Sequence, residues 1–174
     1  MYTLSPEEKA TPVMAYTVDS VVRGETVTKQ PVRVSTWFRT EGAPDYLHLY
    51  NLQWVTITGG AVKPLAFPET FIPLDTIIGF HILPPQADPL DYDERETNRV
   101  NAPLTLLMGK FLVKAKLRVS PQTDIGTTLS ISHTKWMSIY EAEITCPYLP
   151  QMPAMQVPML VVRPTTVNFI LDAK

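Results

Sequence analysis

The chain has 174 residues, 45% hydrophobic and 18% charged, with a formal net charge of −2. That is enough apolar side chain for a buried core and too little charge for a disordered chain, and a pI near 5.9 leaves no cationic excess to neutralise phosphates. Cys146 has no second cysteine to pair with, and the polar, acidic start has no secretory signal, so a cytoplasmic protein without a membrane span is expected.

Seventeen prolines spread through the chain leave little room for long helices, since an interior proline costs a helix about 3 kcal/mol. Ser5 as N-cap and Pro6 at the first helical position predict a short helical turn over 5–11. Thereafter the segments 13–22, 32–38, 46–58, 70–83, 104–120, 127–146 and 157–171 are rich in β-branched and aromatic residues and read as strands. In 46–52, Leu47 and Leu49 share one face while Tyr46, His48, Tyr50 and Leu52 share the other. In 128–132, Leu129 and Ile131 are predicted to point inward. The expected class is all-β.

Internal repetition is the next signal. Val32-Arg33-Val34-Ser35 recurs as Leu117-Arg118-Val119-Ser120, a shift of 85 that also carries Gly24 onto Gly109. A shift of 90 carries Leu47–Leu52 onto Met137–Ala142, and one of 89 carries Thr76–Phe80 onto Thr165–Phe169. The competing explanation is chance matching among β-rich strings. Duplication divides the chain into a first barrel at 1–83 with a short N-terminal turn, an acidic proline-rich linker at 84–103, and a second barrel at 104–174. Asp91, Asp93 and Glu94 in that linker lack the glycine and glutamate of a calcium loop, so a solvated connection is expected instead.

Two five-stranded halves, each with an early strand bent at a glycine (Gly24, Gly109), an R-V-S strand, a strand bearing Tyr50 or Tyr140, and a closing I-I-G-F or T-V-N-F strand, resemble the Sm-like (SH3-like) small barrels. The pattern is similar to that of uncharacterised bacterial proteins with tandem small barrels. The resemblance implies all-β architecture as two tandem five-stranded barrels, with a single β-sandwich as the alternative, and a tendency to associate. The Asp, Asn and Arg-Gly with which Sm-like RNA binders contact a base are absent from both halves, so no residue is carried over as an RNA contact.

No motif of a hydrolase, phosphate loop, dinucleotide site or metalloprotease occurs, and His48, His81 and His133 are not spaced as metal ligands. Cys146, followed by Pro147 and with no cation beside it in sequence, reads as a buried thiol. A non-catalytic chain without metal or cofactor is expected. Residues 147–159 hold no charge, four prolines and three methionines, unusual for a surface loop. Such a loop either plugs its own barrel or meets another protein. The interface candidates are therefore Tyr148, Leu149, Met152, Met155 and Met159, with Leu65 and Phe67 from the equivalent stretch and Trp37 and Phe38, which as neighbours in a strand would face opposite sides. The expected role is a protein-interaction module that binds a protein partner or itself as a homo-oligomer. The alternatives are a nucleic-acid adaptor using Lys114, Lys116 and Arg118 on one strand face, and a carrier of a small apolar ligand.

Overall fold

The computed structural model describes residues 2–58 and 64–170. The first half of the chain forms β1 (Glu8–Tyr16), β2 (Ser20–Lys29), α1 (Val34–Trp37), β3 (Tyr46–Thr56), β4 (Leu65–Pro73), a 3-10 turn (Leu74–Thr76) and β5 (Gly79–Ile82). The second half repeats the order: β6 (Val100–Met108), β7 (Phe111–Val119), α2 (Ile125–Ile131), β8 (Met137–Thr145), β9 (Met155–Val162), a 3-10 turn (Pro164–Thr166) and β10 (Asn168–Ile170). Strands account for 49% of the chain and make one ten-stranded antiparallel sheet in the order β10-β6-β7-β8-β9-β5-β1-β2-β3-β4.

The sheet is not closed into a barrel, which corrects the expectation of two tandem small barrels. The strand order within each half is the same, and the halves are fused where β5 pairs β9, Gly79 opposite Val162 and Phe80 opposite Val161. Each half therefore passes its ladder to its neighbour instead of closing on itself.

The registers show which residues correspond. Arg23/Glu25 in β2 and Lys114/Lys116 in β7 flank the same register shift against the following strand. Asn51 in β3 (φ 49°) and Glu141 in β8 (φ 50°), 90 positions apart, hold the same left-handed backbone. Gly24 sits in the first of these bulges because a Cβ there would lie 3.1 Å from Leu52 Cβ and 3.2 Å from the Tyr50 carbonyl; its counterpart is Ala115, not Gly109. Gly109 closes the β6–β7 hairpin with φ +58°. The 85-residue shift was thus chance similarity, and the R-V-S match pairs α1 with a strand. The shifts of 90 and 89 coincide with the structural correspondence.

Several predicted strands are something else. Segment 32–38 is a loop running into α1, and 127–131 belongs to α2, whose first turn is capped by the Asp124 carboxylate accepting from Thr127 N–H at 2.6 Å. Ile131 is consequently exposed and not inward. The N-terminal segment makes only a turn, Glu8 N–H to the Ser5 carbonyl at 3.0 Å, before β1 starts.

Two apolar cores lie on opposite faces of the shared wall β1-β5-β9. Val13, Ala15, Phe80 and Ile82 join the first-half core with Val34, Phe38, Leu47, Leu49 and Leu52. Met14, Tyr16 and Ile78 instead join the second-half core with Leu106, Met108, Phe111, Ile139 and Leu160. Alternation along β1 thus buries both of its faces, as expected of a strand covered on both sides.

Segment 84–99 is mostly exposed, as a solvated connection would be, but several of its side chains tie it down as a strap. Asp88 accepts from the Ser35 backbone N–H at 3.0 Å and from its hydroxyl. Asp91 receives Arg39 of the first half together with Ser138 (2.7 Å) and Tyr140 (2.5 Å) of the second. Arg118 stacks on Tyr92 at 3.8 Å and donates to Glu96 at 3.1 Å.

Candidate interaction surface

In the 147–154 loop Leu149 and Met152 turn onto the second-half core while the other residues are exposed. Leu149 is buried and its N–H reaches the Cys146 carbonyl at 3.0 Å, Met152 N–H reaches the Leu149 carbonyl at 2.9 Å, and Met152 packs on the second-half core. Met155 and Met159 belong to β9, where Met159 is buried. Tyr148 is the exposed aromatic of the loop, with Lys110 Nζ 5.0 Å from its ring centre. Cys146 is free and buried. Trp37 and Phe38 do not point apart: at the end of α1 their rings stack at 5.3 Å, and Phe38 is fully buried, edge-on to Phe80 at 4.7 Å.

Of the predicted interface residues, Tyr148, Leu65 and Phe67 are openly exposed, and the last two lie on β4. Sequence reasoning missed what accompanies them. β4 is an outermost strand of the sheet, and Tyr46 and Phe71, 52% and 58% exposed, stand on the same β3–β4 hairpin. His48 lies flat on Phe71 with centroids 4.0 Å apart and engages Glu69 through Nε2 at 2.6 Å; Tyr50 packs against His48 at 4.3 Å and Tyr2 against Tyr50 at 4.7 Å. The alternation of Tyr46, His48 and Tyr50 was the available signal. It stops at Asn51, whose left-handed backbone turns Leu52 inward with Leu49. The result is an aromatic face ending at an unpaired strand edge.

The lysine-arginine face of β7 is largely committed to acids. Lys116 bonds Glu141, Arg118 bonds Glu96, and Lys114 stands opposite Glu143 in the β7–β8 ladder. A small cavity bordered by Ser35, His81, Asp88 and Met159 has a volume of about 10 Å³, room for about one water molecule. Beside it His81 is buried: its Nδ1–H donates to the Ile82 carbonyl at 2.8 Å, so Nε2 accepts from the Tyr16 hydroxyl at 3.0 Å. Burial lowers the His81 pKa to about 4 and raises that of Tyr16.

Among the described residues no three His, Cys, Asp or Glu side chains are grouped to hold a metal ion, and no helix is long and apolar enough to cross a membrane. Compared with protein-family models, curated proteins and solved structures, the chain finds no match, so the geometry of this surface has to speak for its role.

Proposed function

We propose that this chain is a non-catalytic protein-interaction module that associates with other protein chains, a second copy foremost, through the exposed aromatic β3–β4 edge rather than through the proline- and methionine-rich loop. The observation that carries this reading is the coincidence of Leu65, Phe67 and Phe71 on β4, an edge strand with no further neighbour among the described residues, with Tyr46 beside them on β3. An unpaired edge offers main-chain hydrogen bonds, and large apolar side chains beside it are costly to leave in water, so the two together favour an added strand. The pairing of Lys116 and Arg118 with acids weighs against a nucleic-acid adaptor.

A photo-reactive phenylalanine analogue at position 46, incorporated in the native cell, tests this. The expected product is a covalent adduct with a protein. A nuclease-sensitive adduct, or binding of single-stranded RNA that weakens with salt, would instead establish the adaptor reading, and no adduct at all would remove the interaction role.

A further inference from the structure

The fusion of the two halves is a worked example of how this sheet meets another of its kind. Four side chains are buried at the β5–β9 junction although each points away from its own half's core. Tyr16 of the first half packs edge-on to Phe111 of the second at 4.8 Å, with His81 beside it. Trp136 and Val161 of the second half enter the first-half core, Trp136 edge-on to Phe80 at 5.4 Å.

The registers assign each a counterpart in the other half. Tyr16 opposite Gly79 corresponds to Leu107 opposite Asn168, and His81 opposite Met14 corresponds to Ile170 opposite Thr105. Val161 opposite Ser138 corresponds to Phe71 opposite His48, and Trp136, one residue before Met137, corresponds to Tyr46, one before Leu47. All four residues at the junction are buried or nearly so, while all four counterparts are exposed large hydrophobics. Leu107 and Ile170 lie at the β10 end of the sheet, Tyr46 and Phe71 at the β4 end. The two outer edges thus carry the two complementary sides of the junction that the chain makes once within itself.

Building on the interaction reading above, we infer that copies of this chain join head to tail, the β10 edge of one pairing antiparallel with the β4 edge of the next, so that Asn168 stands opposite Ile72 and Phe169 opposite Phe71 as Gly79 and Phe80 stand opposite Val162 and Val161. Proline in the receiving strand does not obstruct this. Pro68 of β4 corresponds to Pro158 of β9, a strand that pairs on both sides beyond that point. Pro73 replaces Arg163, so the bond from Arg163 N–H to the Ile78 carbonyl (2.9 Å) has no equivalent between copies and the contact is looser than the internal one. Because the interface is heterologous, repetition gives a ring where the rotation closes and a filament where it does not.

The test is the molar mass of the full chain by light scattering, alongside Phe71→Lys and a mixture of Phe71→Cys and Phe169→Cys chains under oxidation. The expected results are a multiple of 19.6 kDa for the wild type, a single-chain mass for F71K with an unchanged circular dichroism spectrum, and a disulfide between positions 71 and 169 only in the mixture. If F71K does not fold, the cysteine mixture decides. A multimer that F71K leaves intact, or a disulfide in the F71C chain alone, overturns the head-to-tail contact while the interaction reading stands on another surface. A wild type of single-chain mass at all concentrations, with no disulfide in the mixture, also overturns it, and the photo-adduct at position 46 then decides whether a different protein is the partner.

Discussion

Trp136, carried by the second half of the chain, is 5% exposed because it fills the core of the first half against Phe80, with Arg163 4.8 Å above its ring. A residue that serves a core other than its own couples the two halves energetically. Trp136→Ala is expected to cost about 3–5 kcal/mol, the usual range for removing a buried tryptophan. Tyr46→Ala, at the corresponding position but 52% exposed, should change the stability of dilute protein by less than about 0.5 kcal/mol. Urea unfolding of both variants measures the contrast, and similar costs would contradict the assigned correspondence.

Gly109 closes the β6–β7 hairpin at φ +58°, and a Cβ there would lie 2.5 Å from the Val18 carbonyl oxygen in the β1–β2 turn. Backbone strain and a clash with backbone add together, so Gly109→Ala should destabilise by more than the ~1 kcal/mol that the conformation alone costs. Gly42, with nothing within 4 Å of an added Cβ and no positive φ, is the control, and Gly42→Ala is expected to be neutral or slightly stabilising.

His81 makes stability depend on pH in a defined window. Its folded pKa of about 4, lowered by burial and only partly restored by the Ile82 carbonyl, lies below the ordinary value of 6.5. The unfolded chain therefore takes up the proton first. Stability is complete above about pH 6.5 and declines as the pH falls to about 4, by about 3 kcal/mol in total. Melting curves across that window should show the decline in the wild type and lose that part of it in His81→Gln; an identical slope in both would contradict the burial of a neutral imidazole.

Asp91 acts at lower pH and through the strap. Burial pushes its carboxyl up, but hydrogen bonds from Tyr140, Ser138 and Arg39 and the Arg39 charge outweigh burial, so it titrates below the ordinary carboxylate value. Its contribution is present above about pH 4 and vanishes as it protonates at lower pH. Asp91→Ala strands three donors and is expected to cost about 1–3 kcal/mol at pH 7 and to open 84–99 to proteolysis. A variant as protease-resistant as the wild type would show that the strap holds without it.

Much of this architecture was legible in the sequence, and what was not has physical causes. Period-two patterning in 46–52 found β3, whereas the same patterning in 128–132 falls largely in α2 and the single segment 104–120 is the β6–β7 hairpin; the shifts of 90 and 89 found corresponding pairs, Tyr50 with Tyr140 and Phe80 with Phe169, because buried strands constrain side-chain type. α1 and α2 escaped because they span four and seven residues, with Val, Ser, Thr and Ile that also suit strands. Their helical state is set by local caps and packing, as at Asp124. Closure was misjudged because it depends on whether β5 pairs within its own half or with β9, and the pair it makes, Phe80 opposite Val161, lies far apart in sequence where no local pattern shows it. The strap was missed for a similar reason, since the partners of Asp91 lie far away in sequence at Arg39, Ser138 and Tyr140.

Amide hydrogen exchange followed at rising protein concentration examines the shared geometry of junction and edges most directly. Protection is expected to grow together in 65–73 and 168–170 while the amides of β5 and β9 stay protected throughout. Exchange at the two outer strands that is fast and independent of concentration, or protection that rises at only one of them, would contradict it.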